Sequence, residues 1–375
     1  GYQDGDYVTF SNASAVGGLT IDGEFVVSLS VTTAAGTYSI TASSNATSSA
    51  TGGGTVSAAY QINVGNPFAV PIEGWGASSW GSGAWNVGES STTAIRFFSQ
   101  SNFGEDLIFG NNGGSIFYWD ATGSVTTRAV LLSTLSGASD VPVVQNLILV
   151  SDISRFVFCF GTNEIGSDTI DPTLLRWSDQ EDATNWTPSA TNQAGSLRLS
   201  RGTKIVAASQ ARQEVLVWTD SSLYSLQYVG APAVWAATLV GENISISSQN
   251  AVAYANGVAY WMGKDKFYMY DGRTQPLKCD VRKYIFNDFN TAQYSQVFSG
   301  TNESFHEVWW FYCSDGETNI DKYVIYNYLD KIWYYGTLAR TAWLDSGLRD
   351  SPLAATYTLN LVDHESGVDD NQTTS

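Results

Sequence analysis

A hairpin pattern that returns several times between Phe103 and Gly336 constrains this chain more than any other feature. Clear copies are Leu107–Asp120, Leu216–Tyr228 and Ala259–Gly272, and more divergent ones lie at Val143–Phe160 and Val308–Trp333. Each sets an apolar or aromatic strand, a short turn rich in Gly, Asp, Asn or Lys, and a second aromatic strand. Gly and Asn tolerate positive φ and Asp bonds its own backbone, so such turns reverse the chain. Hairpins recurring every few tens of residues, with no helix-length pattern between them, predict radial or stacked β repeats. The expected fold is all-β: a β-propeller of about six blades, incomplete at its last blade, behind a small N-terminal antiparallel β domain.

Residues 1–66 supply that first domain, with strands expected at Tyr7–Phe10, Glu24–Val31, Thr37–Thr41 and Val56–Val64. Residues 67–90 form a Gly/Trp-rich irregular connector. Here Trp75, Trp80 and Trp85 recur every five residues, a period that fits neither helix nor strand. An indole on a loop is costly unless covered, so these three rings are expected to pack on a neighbouring domain or subunit. The functional alternative is a carbohydrate-stacking platform. Residues 91–375 make the propeller body, with Val281–Phe289 as the one expected helix and Ala355–Val362 opening a last blade that the chain does not finish. Runs such as Glu307–Tyr312 lose simple alternation, which fits strands apolar on both faces.

Lys and Arg total 18 against 36 Asp and Glu, a formal charge of -18. A surface of that sign repels nucleic acid and anionic membranes at long range, and the basic residues look too scattered to form a binding stripe. No stretch approaches the roughly 18 apolar residues a spanning helix needs. Cys159, Cys279 and Cys313 are far apart and odd in number, so buried free thiols of a reducing compartment are expected. The sequons at Asn12, Asn45, Asn185, Asn243, Asn302 and Asn371 are what chance supplies in so Asn-, Ser- and Thr-rich a chain. Both ends look cut from something longer, and no signal peptide opens the chain.

Catalytic chemistry finds little footing. The two histidines, His306 and His364, lack a serine elbow or a zinc-helix partner, and the cysteines form no metal knuckle. Asp168 with Asp171, or Asp179 with Glu181 and Asp182, could be read as an acid/base pair or a calcium cradle. Neither has the calcium-loop spacing, and ordinary turn roles are expected. The glycines at 52–54 and 113–114 lack the Lys-Ser/Thr of a phosphate loop. The reading is of a non-enzyme with no catalytic residues, no cofactor and no metal. A polysaccharide-cleaving enzyme would need a carboxylate pair facing a groove.

Several motifs together carry a resemblance. They include Gly5–Ser11, Gly53–Tyr60, Gly74-Trp-Gly76, Trp80–Trp85, Ile116–Asp120, Leu175–Ser178, Asn185–Pro188, Val217–Tyr224, Phe267–Gly272, Glu307–Trp310, Asp321–Tyr326 and Arg340–Trp343. The chain resembles the tail tubular protein B, or tail nozzle, of short-tailed bacteriophages over nearly its whole length. The resemblance implies a structural virion component of the tail, assembled in the host cytoplasm as a ring of copies, six in the family. Such a ring would continue the DNA-exit channel below the portal and adaptor. The implied partners are other copies of the chain, the adaptor protein and tail fibres, with DNA passing unbound through an acidic lumen. On that reading the turns at Asp220 and Asp265 are the expected lumen surface. The alternative is a glycan- or receptor-binding propeller on a tail fibre.

Overall fold

The computed structural model describes residues 6–28, 37–62, 64–70, 73–74, 89–90, 95–151, 154–345 and 348–366. The chain divides into two compact units, Gly1–Arg96 and Phe97–Ser375. In the first, Tyr7–Ser11 is the centre of a three-stranded antiparallel sheet, flanked by Gly23–Val26 and Ser57–Gln61. The expected third strand at Thr37–Thr41 is reduced to a single bridge between Ser28 and Ser39. Asp6 is fully buried beneath this sheet and is held by the Arg96 guanidinium and the Tyr60 hydroxyl.

In the second unit the chain folds as successive antiparallel meanders. Four-stranded sheets occupy residues 98–131, 147–198, 205–242, 252–277 and 298–337, each with its strands in chain order, and a three-stranded sheet occupies 342–363. The hairpin turns follow from turn chemistry. Asn256 and Gly257, both left-handed at φ 49° and 80°, close the two-residue loop between Val252–Ala255 and Val258–Met262. A side chain other than Asn, Asp or Gly would be strained there. In three of the long sheets the second strand is buried on both faces: Val157–Asn163 and Val215–Thr219 are buried throughout, and Glu307–Tyr312 at all but its first residue.

Those doubly apolar strands let neighbouring sheets share cores. The largest cluster joins three sheets through Trp218, Trp261 and Trp310, all fully buried. Trp218 and Trp261 meet edge to face with centroids 5.3 Å apart, and the Trp310 indole donates across to the Ala251 carbonyl at 2.9 Å. Phe267 closes on Trp310 at 4.9 Å. Aromatic pairs of this kind contribute about 0.5–1.5 kcal/mol beyond their buried area.

This architecture corrects the expected propeller. The all-β content is there, but it consists of separate antiparallel sheets: no strand of the 342–363 sheet pairs with the 98–131 sheet among the described residues, so hydrogen bonding closes no ring of about six blades. Hairpin patterning specifies each meander, because turns and strand faces are local. How the ends of a series of sheets meet is a long-range property that the pattern does not carry. The only α-helix among the described residues, Arg282–Asn287, lies inside the stretch expected to be helical.

Candidate interaction surface

The sheet at 298–337 ends in the strand Ile332–Thr337, which pairs on one side with Lys322–Asn327 through six consecutive residue pairs without a bulge. The hairpin leading into it is built by Asn327. Its side-chain oxygen accepts from the amides of Leu329 and Asp330 at 3.0 and 2.8 Å, and its carbonyl accepts from Lys331, whose φ is 59°. An Asn side chain that imitates a backbone turn fixes where the strand starts. Trp333 then pins it to the core, packing on Tyr326 and Phe267 at 4.7 Å each and donating to the Lys278 carbonyl at 2.9 Å.

With Trp333 inside, its neighbours are left outside. Ile332, Tyr334 and Tyr335 are 43%, 45% and 50% exposed, and Leu329 in the turn is 65% exposed. The strand carries no charge, no proline and no bulge. Its backbone groups on the side away from Lys322–Asn327 meet no partner among the described residues. A straight, uncharged, apolar edge of this kind is a template for pairing with another chain, and folded proteins usually blunt it.

Beside the edge stands a local excess of positive charge. Helix Arg282–Asn287 buries Ile285 and packs Phe286 on Phe267, which turns Arg282, Lys283 and Tyr284 outward. Tyr284 lies on Tyr335 with centroids 4.6 Å apart, joining helix and edge strand into one surface. Arg282 also donates to the Asp265 carbonyl, and Lys264 sits over the Tyr294 ring at 6.0 Å. Lys322 bonds Asp288 at 2.6 Å, and that hydrogen bond raises its pKa. Six of the 18 basic residues fall between Lys264 and Lys283. The basic residues as a whole look scattered, but these six cluster along the chain. That density, together with a charge-free strand in an acidic chain, is the signal that could have found this surface.

The residues singled out from the sequence sit elsewhere. Trp75, Trp80 and Trp85 lie outside the described residues. Asp220 caps a loop, accepting from the Thr203 amide and hydroxyl at 2.8 and 2.7 Å; burial would raise its pKa, but these bonds lower it. Asp265 is exposed and 3.6 Å from Lys266. Asp171 accepts from Thr173 within its own strand and from Arg198 on the neighbouring strand, while Asp182 accepts from Thr184 and Asp179 from the Gln180 and Gln193 amides in turns and loops. All three cysteines are free. Cys159 and Cys313 are buried, while Cys279 is partly exposed, and burial pushes the Cys279 and Cys313 thiols up to about 12. His306 is exposed beside Tyr328.

A second polar group lies where the 342–363 sheet meets the 298–337 sheet. The Trp343 indole stacks on Trp309 at 5.0 Å and donates to the Thr301 carbonyl, with the His364 ring 4.6 Å away on it. Arg340 Nε donates to His364 Nε2 at 3.0 Å; burial and that guanidinium push the His364 pKa down to about 4. Glu307 is raised by burial, partly opposed by the Trp309 indole N–H and reinforced by Glu365. Among the described residues no group of three or more potential ligands could hold a metal.

No protein-family model matches the chain, and no curated protein matches it. Solved structures do. The crystal structure of Kluyvelomyces marxianus Hsv2 is 9% identical, covers 71% of this chain and 74% of that one, and has a TM-score of 0.40. Kluyveromyces lactis Hsv2p is 12% identical over 71% and 73%, with a TM-score of 0.39. The extracellular domain of the putative one component system BT4673 from B. thetaiotaomicron is 11% identical over 72% of this chain and 32% of that one, with a TM-score of 0.41. At such scores the likeness assigns no function. These matches are Hsv2 proteins and an extracellular domain rather than tail tubular proteins. With no family model in its support, the tail nozzle resemblance is withdrawn, together with its virion channel and the fibre-borne propeller read as its alternative.

Proposed function

We propose that this chain is a non-catalytic interaction module that binds a partner by strand addition at Ile332–Thr337. The observation that carries the reading is the edge itself: six residues, uncharged, unbulged, with Ile332, Tyr334 and Tyr335 about half exposed. Main-chain hydrogen bonds along such an edge provide affinity, and the alternating side chains provide selectivity. The absence of catalysis is supported by the duties of the candidate acids and bases. Asp179, Asp182 and Asp220 hold turns and loops, Asp171 bonds Thr173 in its own strand and Arg198 on the next, and His364 is committed as an acceptor to Arg340.

Selection of a random-peptide display library on the immobilised chain tests this. Extended peptides should be enriched, and a Tyr334→Pro variant should lose them. Proline on an edge strand removes one main-chain donor and obstructs an incoming strand. No enrichment, or equal enrichment on a folded Tyr334→Pro variant, refutes the reading.

A further inference from the structure

Resting on that reading, we infer that the partner of the Ile332–Thr337 edge is an extended acidic protein segment. The chain as a whole is strongly acidic, with 36 Asp and Glu against 18 Lys and Arg. Around the edge that balance is reversed. Arg282 and Lys283 stand exposed on the helix that contacts the edge through Tyr284 and Tyr335. Lys331 is exposed at the strand's first turn, and Lys278, whose carbonyl anchors Trp333, has a side chain 90% exposed. Lys278 faces Asp280 at 3.7 Å, an exposed pair that leaves it available to a stronger partner, and Asp330 adjoins Lys331 in sequence. No ion pair engages Arg282, Lys283 or Lys331 among the described residues.

Charge therefore selects among occupants that the bare edge would accept. A second copy pairing edge to edge would double the cations Arg282, Lys283 and Lys331 at one interface, which like-charge repulsion disfavours. A nucleic acid has no strand to add and would meet the long-range repulsion of the acidic body. A strand bearing Glu or Asp at every second position uses both features at once. Its backbone completes the sheet, its acidic side chains reach the cations on the helix side, and its apolar side chains cover Ile332 and Tyr334.

The experiment is fluorescence anisotropy of the intact chain with two synthetic peptides of about eight residues, one alternating Glu and Val, the other Lys and Val. The acidic peptide should bind and the basic one should bind at least about tenfold more weakly. Raising salt from 0.1 to 1 M cuts the screening length from about 10 to about 3 Å, so this preference should collapse. Arg282→Glu/Lys283→Glu, both on the exposed face of the helix, should weaken the acidic peptide by about tenfold, since each exposed pair is worth a factor of roughly 2–5. Circular dichroism confirms that this variant is folded. Equal binding of the two peptides overturns the acidic assignment while strand addition stands. Binding of neither peptide overturns both. Sedimentation showing a dimer that the acidic peptide does not dissociate assigns the edge to a second copy and overturns the inference.

Discussion

Replacing Gly300 by alanine tests how the last two sheets fit together. Gly300 lies in Phe298–Asn302, opposite Trp309, and its empty side is filled by the Trp343 indole. A Cβ built there falls inside that ring, 2.6 Å from Cγ and 3.0 Å from Nε1. The ring has nowhere easy to go, because it stacks on Trp309 at 5.0 Å, lies 4.6 Å from His364 and donates to Thr301 at 2.8 Å. Alanine is intrinsically better than glycine within a strand by about 0.5–1 kcal/mol. Against that gain stand an overpacking cost of about 1–3 kcal/mol and, if the indole rotates away, a lost hydrogen bond of about 0.5–1.5 kcal/mol. The net expectation for Gly300→Ala is a loss of about 1–3 kcal/mol, read from urea unfolding followed by circular dichroism. The control is the same change in a Trp343→Leu background, where the obstructing ring is gone and alanine should be neutral or stabilising by up to about 1 kcal/mol. A Gly300→Ala protein as stable as the parent, or one equally destabilised in both backgrounds, would refute the argument that this glycine exists to admit the indole.

Two further outcomes follow from buried charge. Arg176 is 1% exposed and donates to the Asp140 carbonyl and carboxylate at 2.7 and 2.8 Å, so Arg176→Ala should cost about 3 kcal/mol in urea unfolding; a loss below about 1 kcal/mol would show that the clamp is dispensable. His364 has its pKa depressed to about 4 from an ordinary value near 6.5, so the folded state prefers the neutral ring. Its contribution is complete above about pH 6.5 and is lost as pH falls from there toward 4, by on the order of 1–2 kcal/mol once partial solvent screening is allowed for. Titration of the ring protons by NMR should place His364 near 4, and His364→Gln should flatten that acid limb of stability; a ring titrating above 6 would contradict the contact with Arg340.

The elements legible in the sequence are those set by neighbours along the chain. Asn256-Gly257 announces its own hairpin, and Glu307–Tyr312, apolar at nearly every position, announces a strand covered on both faces. Thr37–Thr41 does not form the expected strand because β-propensity describes a strand without fixing which segment it pairs with; the bridge between Ser39 and Ser28 is what remains of it. The ring failed for a similar reason at larger scale, since five similar meanders do not determine whether the first and last sheets join. Asp220 was legible as a turn residue, but the loop it holds was not, because its partner Thr203 lies 17 residues away on another loop.

The edge strand was legible as a strand but not as a surface, and the difference is instructive. From the sequence, Ile332-Trp-Tyr-Tyr335 offers four large apolar residues with equal claim to the core. Folding divides them by the pleat and by what stands on each side. Trp333 meets Tyr326, Phe267 and the Lys278 carbonyl, while Ile332 and Tyr334 point from the other face and Tyr335 reaches the helix through Tyr284. Tyr334 and Tyr335 are already about half buried, so covering them would bury roughly half of the 150–250 Å² that a fully enclosed aromatic side chain removes from water, worth about 25 cal/mol per Å² of apolar area. The chain leaves that gain unused at the strand where it also omits the usual guards of an in-strand charge, a proline or a bulge. It places its cations beside the strand instead of within it. Cations in that position repel a second copy of the same edge and attract an acidic strand, so one arrangement both restrains self-pairing and selects the partner.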